Sequence, residues 1–136
     1  MNILKKGLIF VIALFMGINA SARPLSSVKS EVSEYLKSMD EWFNSKEMVE
    51  ETTRYGIISD YHTSIDDNVL TVTYRYNSLV DFNMMNEDEK TNFANQTINL
   101  VKSVLKPKEI DYHNKGLVII KFVWIDKTGR VYTAKF

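Results

Sequence analysis

The sequence predicts an α+β domain: an antiparallel sheet of four to five strands packed against two helices, in the order helix–hairpin–helix–strands. Three observations predict it. Apolar residues recur every three or four positions in two separate segments, the pattern of half-buried helices. Strict alternation marks residues 69–77 as a strand, with turn residues before it. The last quarter of the chain joins a strongly apolar run to an Asp-Lys-Thr-Gly turn and a short closing segment.

The first element is an export signal. Lys5 and Lys6 form a charged start, Gly7 to Ile18 is almost purely apolar, and Ala20-Ser21-Ala22 supplies the small residues a signal peptidase reads. Residues 1–22 therefore read as a signal peptide cleaved before Arg23. The apolar run is shorter than the roughly 20 residues of a membrane span. No Cys follows it, which excludes a lipid-anchored N-terminal cysteine. The expectation is a bacterial-style exported protein, periplasmic or secreted, with no stable membrane span after cleavage. Residues 23–136 then form a single domain.

The helices come next. Val28, Val32, Tyr35, Leu36, Met39, Trp42 and Phe43 share one face of a helix, with Ser26 or Ser27 as its cap. Asn44-Ser45 breaks it, Lys46 to Arg54 continues as a second piece, and Gly56 ends the region. Ile57 to Thr63 reads as a strand, Ile65 to Asn68 as a turn, and Val69 to Asn77 as the partner strand of a hairpin. In that second strand Leu70, Val72, Tyr74 and Tyr76 alternate with Val69, Thr71, Thr73 and Arg75. Asn86 and Glu89 make a capping box for a further helix, whose apolar stripe runs from Phe93 to Leu105 and which Pro107 stops. Glu109 to His113 reads as a short strand. Leu117 to Ile125 and Arg130 to Phe136 form the closing hairpin.

Asp60-Tyr61-His62 recurs as Asp111-Tyr112-His113. Each copy follows a helix and precedes a turn and an alternating strand, so the chain reads as a candidate tandem duplication of helix–strand–strand. Leu70, Val72, Tyr74 and Tyr76 would then correspond to Val118, Ile120, Phe122 and Trp124.

Composition excludes several function classes. The 136 residues carry 17 basic and 17 acidic side chains, 45% hydrophobic residues and no Cys. This is not the make-up of a disordered chain. There can be no disulfide, thiolate metal site or cysteine nucleophile. Without a basic excess, nucleic acid is not an expected partner. The sequence has no phosphate-binding glycine loop, no nucleophile elbow and no His-Glu-x-x-His motif.

Two pieces of chemistry stay open. Convergence of Asp60, His62, Asp111 and His113 would build a small metal or acid–base site, although the same residues also fit hairpin ends. Asp66-Asp67-Asn68 has the start of a calcium loop but lacks its Gly and distal Glu, as a hairpin turn would. No catalytic residue, metal ligand or cofactor is assigned.

The strand from Leu117 to Ile125 is apolar on both faces, with Leu117, Ile119, Val123 and Ile125 opposite Val118, Ile120, Phe122 and Trp124. Such a strand needs cover on both sides. If the helices lie on one side, the other is a surface for a protein or small ligand. Tyr74, Tyr76, Trp124 and Tyr132 are the candidate contact residues, since Tyr and Trp dominate interfaces. Lys115, Lys121, Lys127, Arg130 and Lys135 make the closing hairpin basic. They would steer an anionic partner or protect an edge strand from pairing.

The segment Lys121-Phe-Val-Trp-Ile-Asp-Lys-Thr-Gly-Arg-Val-Tyr resembles the hairpin of TonB-type C-terminal domains, where an apolar strand runs into an Asp-x-x-Gly-Arg-Val turn. The likeness covers about a dozen residues. The family pattern continues with a helix and strand where this sequence reaches Phe136. The membrane anchor and proline-rich linker usual in the family are missing from it too, so no functional residue carries over. The expected function is a non-catalytic exported binding module. The alternatives are an enzyme built on the Asp-Tyr-His segments and an assembly subunit pairing through its C-terminal edge strand.

Overall fold

The computed structural model describes residues 25–136, so the signal segment read in residues 1–22 lies outside the described residues. Helix α1 spans Leu25–Phe43 and α2 spans Lys46–Thr53. Ser26 and Ser27 fall inside α1 rather than capping it. Ser45 caps α2, its Oγ accepting the Met48 N–H at 3.3 Å. Strands β1, Ile58–Asp66, and β2, Val69–Tyr76, form the first hairpin around Asp67 and Asn68. A 3-10 turn at Phe82–Met84 leads into α3, Glu87–Lys102. The capping box that opens α3 is present in both directions between Asn86 and Glu89.

Residues 109–113 are not a strand. They lie in α4, Pro107–Asn114. Helix α3 ends at Lys102 with Ser103 as its C-cap, ahead of Pro107 rather than at it, and Pro107 instead begins α4, because the first turn needs no N–H from it. The Glu109 side chain folds back to accept the Lys106 N–H at 2.7 Å. The chain then enters β3, Ile119–Ile125, and β4, Val131–Lys135. The architecture is α+β, with four helices among the described residues where the sequence suggested two, and a sheet of four strands.

Strand order follows the chain, β1-β2-β3-β4. Both hairpins are antiparallel, but the central pair β2–β3 is parallel. The cause is topological: α3 and α4 carry the chain back to the same end of the sheet, as a crossover connection requires. The two Asp-Tyr-His triplets fall in β1 and α4, unlike elements, so they are not equivalent positions of a repeat. Across the parallel ladder Leu70, Val72 and Tyr74 stand beside Ile120, Phe122 and Trp124, two residues out of step with the correspondence a duplication would give.

All the helices contribute to one core against one sheet face. Leu70, Val72, Ile120, Phe122 and Trp124 are buried with Tyr35, Met39, Phe43, Met48, Ile98, Val101 and Tyr112. Burying each large side chain fully contributes roughly 1.5–3 kcal/mol. Helix α1 is fastened to β1 by the Tyr61 hydroxyl, which donates to the Phe43 carbonyl at 2.6 Å. No helix among the described residues is long and apolar enough to cross a membrane.

Candidate functional site

With the described helices on one side, no helix among the described residues covers the other face of the sheet. Strand register sets its residues in rows. Asp60, Arg75, Ile125 and Val131 form one row, and His62, Thr73, Val123 and Thr133 the next. Ser64, Thr71, Lys121 and Lys135 follow, then Asp66, Val69 and Ile119. Val69, Ile119, Val123 and Ile125 are only half-buried, and Val131 is 59% exposed. Strand β3 is thus apolar on both faces and covered on one.

Charge divides this face. Lys121 and Lys135 are directly opposite across the β3–β4 ladder. Like charges so placed repel. Neither forms an ion pair with another described residue, and neither does Asp66 on β1. Asp60 is engaged with its neighbour two residues on, the His62 Nδ1 lying 3.1 Å from its Oδ2. The β1 edge is therefore acidic and the β3–β4 edge basic, and between them lie Val69, Thr71, Thr73 and the exposed Arg75 of β2 beside Ile119, Val123 and Ile125 of β3.

Tyr74, Tyr76, Trp124 and Tyr132 lie on the covered face. Trp124 is 1% exposed, and the other three pack partly buried against the core. Trp124 stacks near-parallel with Tyr74, Phe122 and Tyr132, at centroid distances of 6.2, 5.7 and 6.1 Å. Burial drives the Tyr74 hydroxyl well above its ordinary pKa, and lifts Tyr76 to about 12. These four rings build the core under the sheet. The open surface is the opposite set. The sequence held a signal for this: Lys121 alternates in phase with Ile119, Val123 and Ile125, so the face carrying the lysine is the one in water.

The two histidines do not converge. His62 is exposed on the open face, whereas His113 is buried beneath the covered face. Among the described residues no group of three or more His, Cys, Asp or Glu side chains could hold a metal ion. Asp67 and Asn68 make the β1–β2 turn between the paired Asp66 and Val69, with Asp67 at φ 54°.

His113 instead belongs to a buried polar cluster between α1, α4 and the C-terminal residue. Its Nδ1–H donates to the Phe136 carbonyl at 2.9 Å, since a carbonyl can only accept. Its Nε2 then accepts from the Tyr35 hydroxyl at 3.1 Å. The ring stacks on Phe136 at 3.9 Å. Burial holds the imidazole down at about 4, with the Lys102 charge adding to the effect and the Phe136 hydrogen bond opposing it. Glu109 nearby is fully buried, with Oε2 unpartnered, and burial raises its pKa. Nothing in the sequence joined these residues, because they are separated by up to 101 positions between Tyr35 and Phe136. A separate cleft of about 460 Å³ lies between α1 and two turns, floored by Val28, Val32, Leu36 and Leu117 and rimmed by Lys29 and Asp67.

No protein-family model, curated protein or solved structure matches the chain.

Proposed function

We propose that the protein is an exported, non-catalytic binding module that works through the open face of its sheet. The observation that carries the reading is β3, whose second apolar face (Ile119, Val123 and Ile125) has no cover from the helices among the described residues. An uncovered antiparallel face is ordinarily polar at alternate positions. Here Val69, Ile119, Val123 and Ile125 make an apolar patch on it, with Asp60, Asp66, Arg75, Lys121 and Lys135 around the patch, a mixture of apolar and charged groups suited to an interface. Export rests on the charged, apolar and small-residue segments of residues 1–22.

The test uses the full chain expressed in a bacterial host. Mass spectrometry of protein from the envelope fraction should find the chain beginning at Arg23. Chemical cross-linking in that fraction should trap the protein in a complex, and Val123→Lys should abolish the complex while leaving the melting temperature within a few degrees. A complex untouched by Val123→Lys and by Ile125→Lys would remove the basis for this surface. Protein found only in the cytosol would remove the export.

A further inference from the structure

We infer that the occupant of the open face is a second copy of this chain, packed sheet against sheet about a two-fold axis parallel to the strands; the inference rests on the binding-face reading above. Charge and symmetry point to this arrangement. Lys121 and Lys135 face each other across β3 and β4 with no acid partner among the described residues. Asp66, at the same end of the sheet on β1, has no basic partner either. The two groups cannot meet within one chain. Three strand spacings of ~4.8 Å put β1 and β4 roughly 14 Å apart.

A two-fold axis along the strands reverses strand order between the facing sheets and preserves strand direction. It sets the β1 edge of each copy over the β4 edge of the other, with both ends kept in step. Asp66 of one copy then comes over the Lys135 end of the second copy, twice per dimer. Ile119 and Val123 of each copy lie across Val69 and Thr73 of the other, Lys121 across Thr71, and Ile125 across the aliphatic stem of Arg75, which stands beside Asp60 of its own chain at the end of the sheet. The alternative axis, across the strands, sets each edge on its own counterpart, acid on acid and base on base. Charge therefore selects one of the two face-to-face arrangements. Strand-edge pairing of β4 with β4 is disfavoured by the same lysines. Aligned sheet packing with a mean separation of about 10 Å needs side chains of this Val, Ile and Thr size between the layers.

The test is the mass of the exported, purified protein by sedimentation equilibrium over a hundredfold concentration range. The expected result is a monomer–dimer equilibrium. Val123→Lys should abolish the dimer. Lys135→Glu should weaken it at least tenfold, and adding Asp66→Lys to Lys135→Glu should restore it, because the reversed pair again attracts. Carbodiimide should join Asp66 of one copy to Lys135 of the other. A dimer that ignores Val123→Lys, or a charge reversal that fails to restore association, overturns the arrangement. A monomer at every concentration overturns the second copy. If that monomer still forms a Val123-dependent envelope complex, the binding face stands with a different partner. If it does not, both readings fall.

Discussion

The Asp126 carboxylate accepts the backbone N–H of Phe82 at 2.8 Å, joining the β3–β4 turn to a loop 44 residues earlier. Asp126 is 1% exposed. Its other oxygen takes the N–H groups of Thr128 and Arg130 and the Thr128 hydroxyl. Residue 126 looks in sequence like one more polar turn residue. In the fold its charge is consumed by four hydrogen bonds, so the charged side chains that the hairpin displays are basic.

That arrangement predicts acid sensitivity. Burial alone would raise the Asp126 pKa, but the hydrogen bonds from Thr128, Phe82 and Arg130 outweigh it and lower the value to about 2. The folded state therefore favours the ionised form. Its contribution is complete above the ordinary carboxylate range near 3.8 and is lost as pH falls from there through about 2. Asp126→Ala should cost about 3 kcal/mol at neutral pH, because charged hydrogen bonds are strong and the Phe82 N–H is left buried. Urea unfolding measures this. A loss below about 0.5 kcal/mol, the ordinary size for a surface site, would count against the clasp.

His113 gives a second, separate pH dependence. The ring must be neutral at Nε2 to accept from Tyr35, and its pKa is held at about 4 rather than the usual 6.5. A lowered histidine pKa means the unfolded chain takes up the proton first. Stability from this group is complete above pH 6.5 and declines as pH falls from 6.5 to about 4. The His113 ring resonances should titrate near 4 by NMR, well below those of a free imidazole. His113→Gln should flatten the melting temperature across the same interval. A midpoint near 6.5 would show that the ring is not enclosed as described.

Trp124 tests which face of the sheet is covered. It touches Tyr74, Phe93, Phe122 and Tyr132, all within 6.2 Å between ring centres. Trp124→Ala should cost about 3–5 kcal/mol by loss of burial and formation of a cavity. Val123→Ala, one residue away on the open face, should cost under about 1 kcal/mol. Denaturant melts of the two variants should differ accordingly, and equal losses would mean both faces are packed.

Much of the fold was legible because periodicity is local. Val28 to Phe43 and Val69 to Tyr76 repeat at 3.6 and 2 residues, and the structure places a helix and a strand there. Helix α4 was not legible. Its eight residues begin with a proline and contain an echo of the β1 triplet, so no full helical period stood out. The open face was half legible. Alternation sorts Ile119, Val123 and Ile125 from Ile120, Phe122 and Trp124, and the only pointer to which side the helices take is the single lysine, Lys121, in phase with the first set. The aromatic set Tyr74, Tyr76, Trp124 and Tyr132 lies on the helix-covered face, where rings of that size fill the space beneath the helices. The His113 cluster is purely tertiary, and no local pattern could assemble it.

Glu109 offers the last test, with the opposite sign to Asp126. Its side chain is fully buried, one oxygen accepts the Lys106 N–H, and the other has no hydrogen-bond partner. Burial raises its pKa, against the pull of the Lys106 N–H and of the Lys106 and Lys108 charges. The folded state thus favours the protonated acid. Stability from this group is complete below the ordinary value of 4.5 and is lost as pH rises through the raised folded value. Glu109→Gln keeps an oxygen for the Lys106 N–H and cannot ionise. The variant should melt higher than the wild type at pH 7, and the gap should close by about pH 4, where both side chains are neutral. The cap itself should persist in the variant, so helix content by circular dichroism should not change. A Gln variant that melts lower at pH 7 would mean that the carboxylate is ionised and held by a charge, and that its burial is not what sets its protonation.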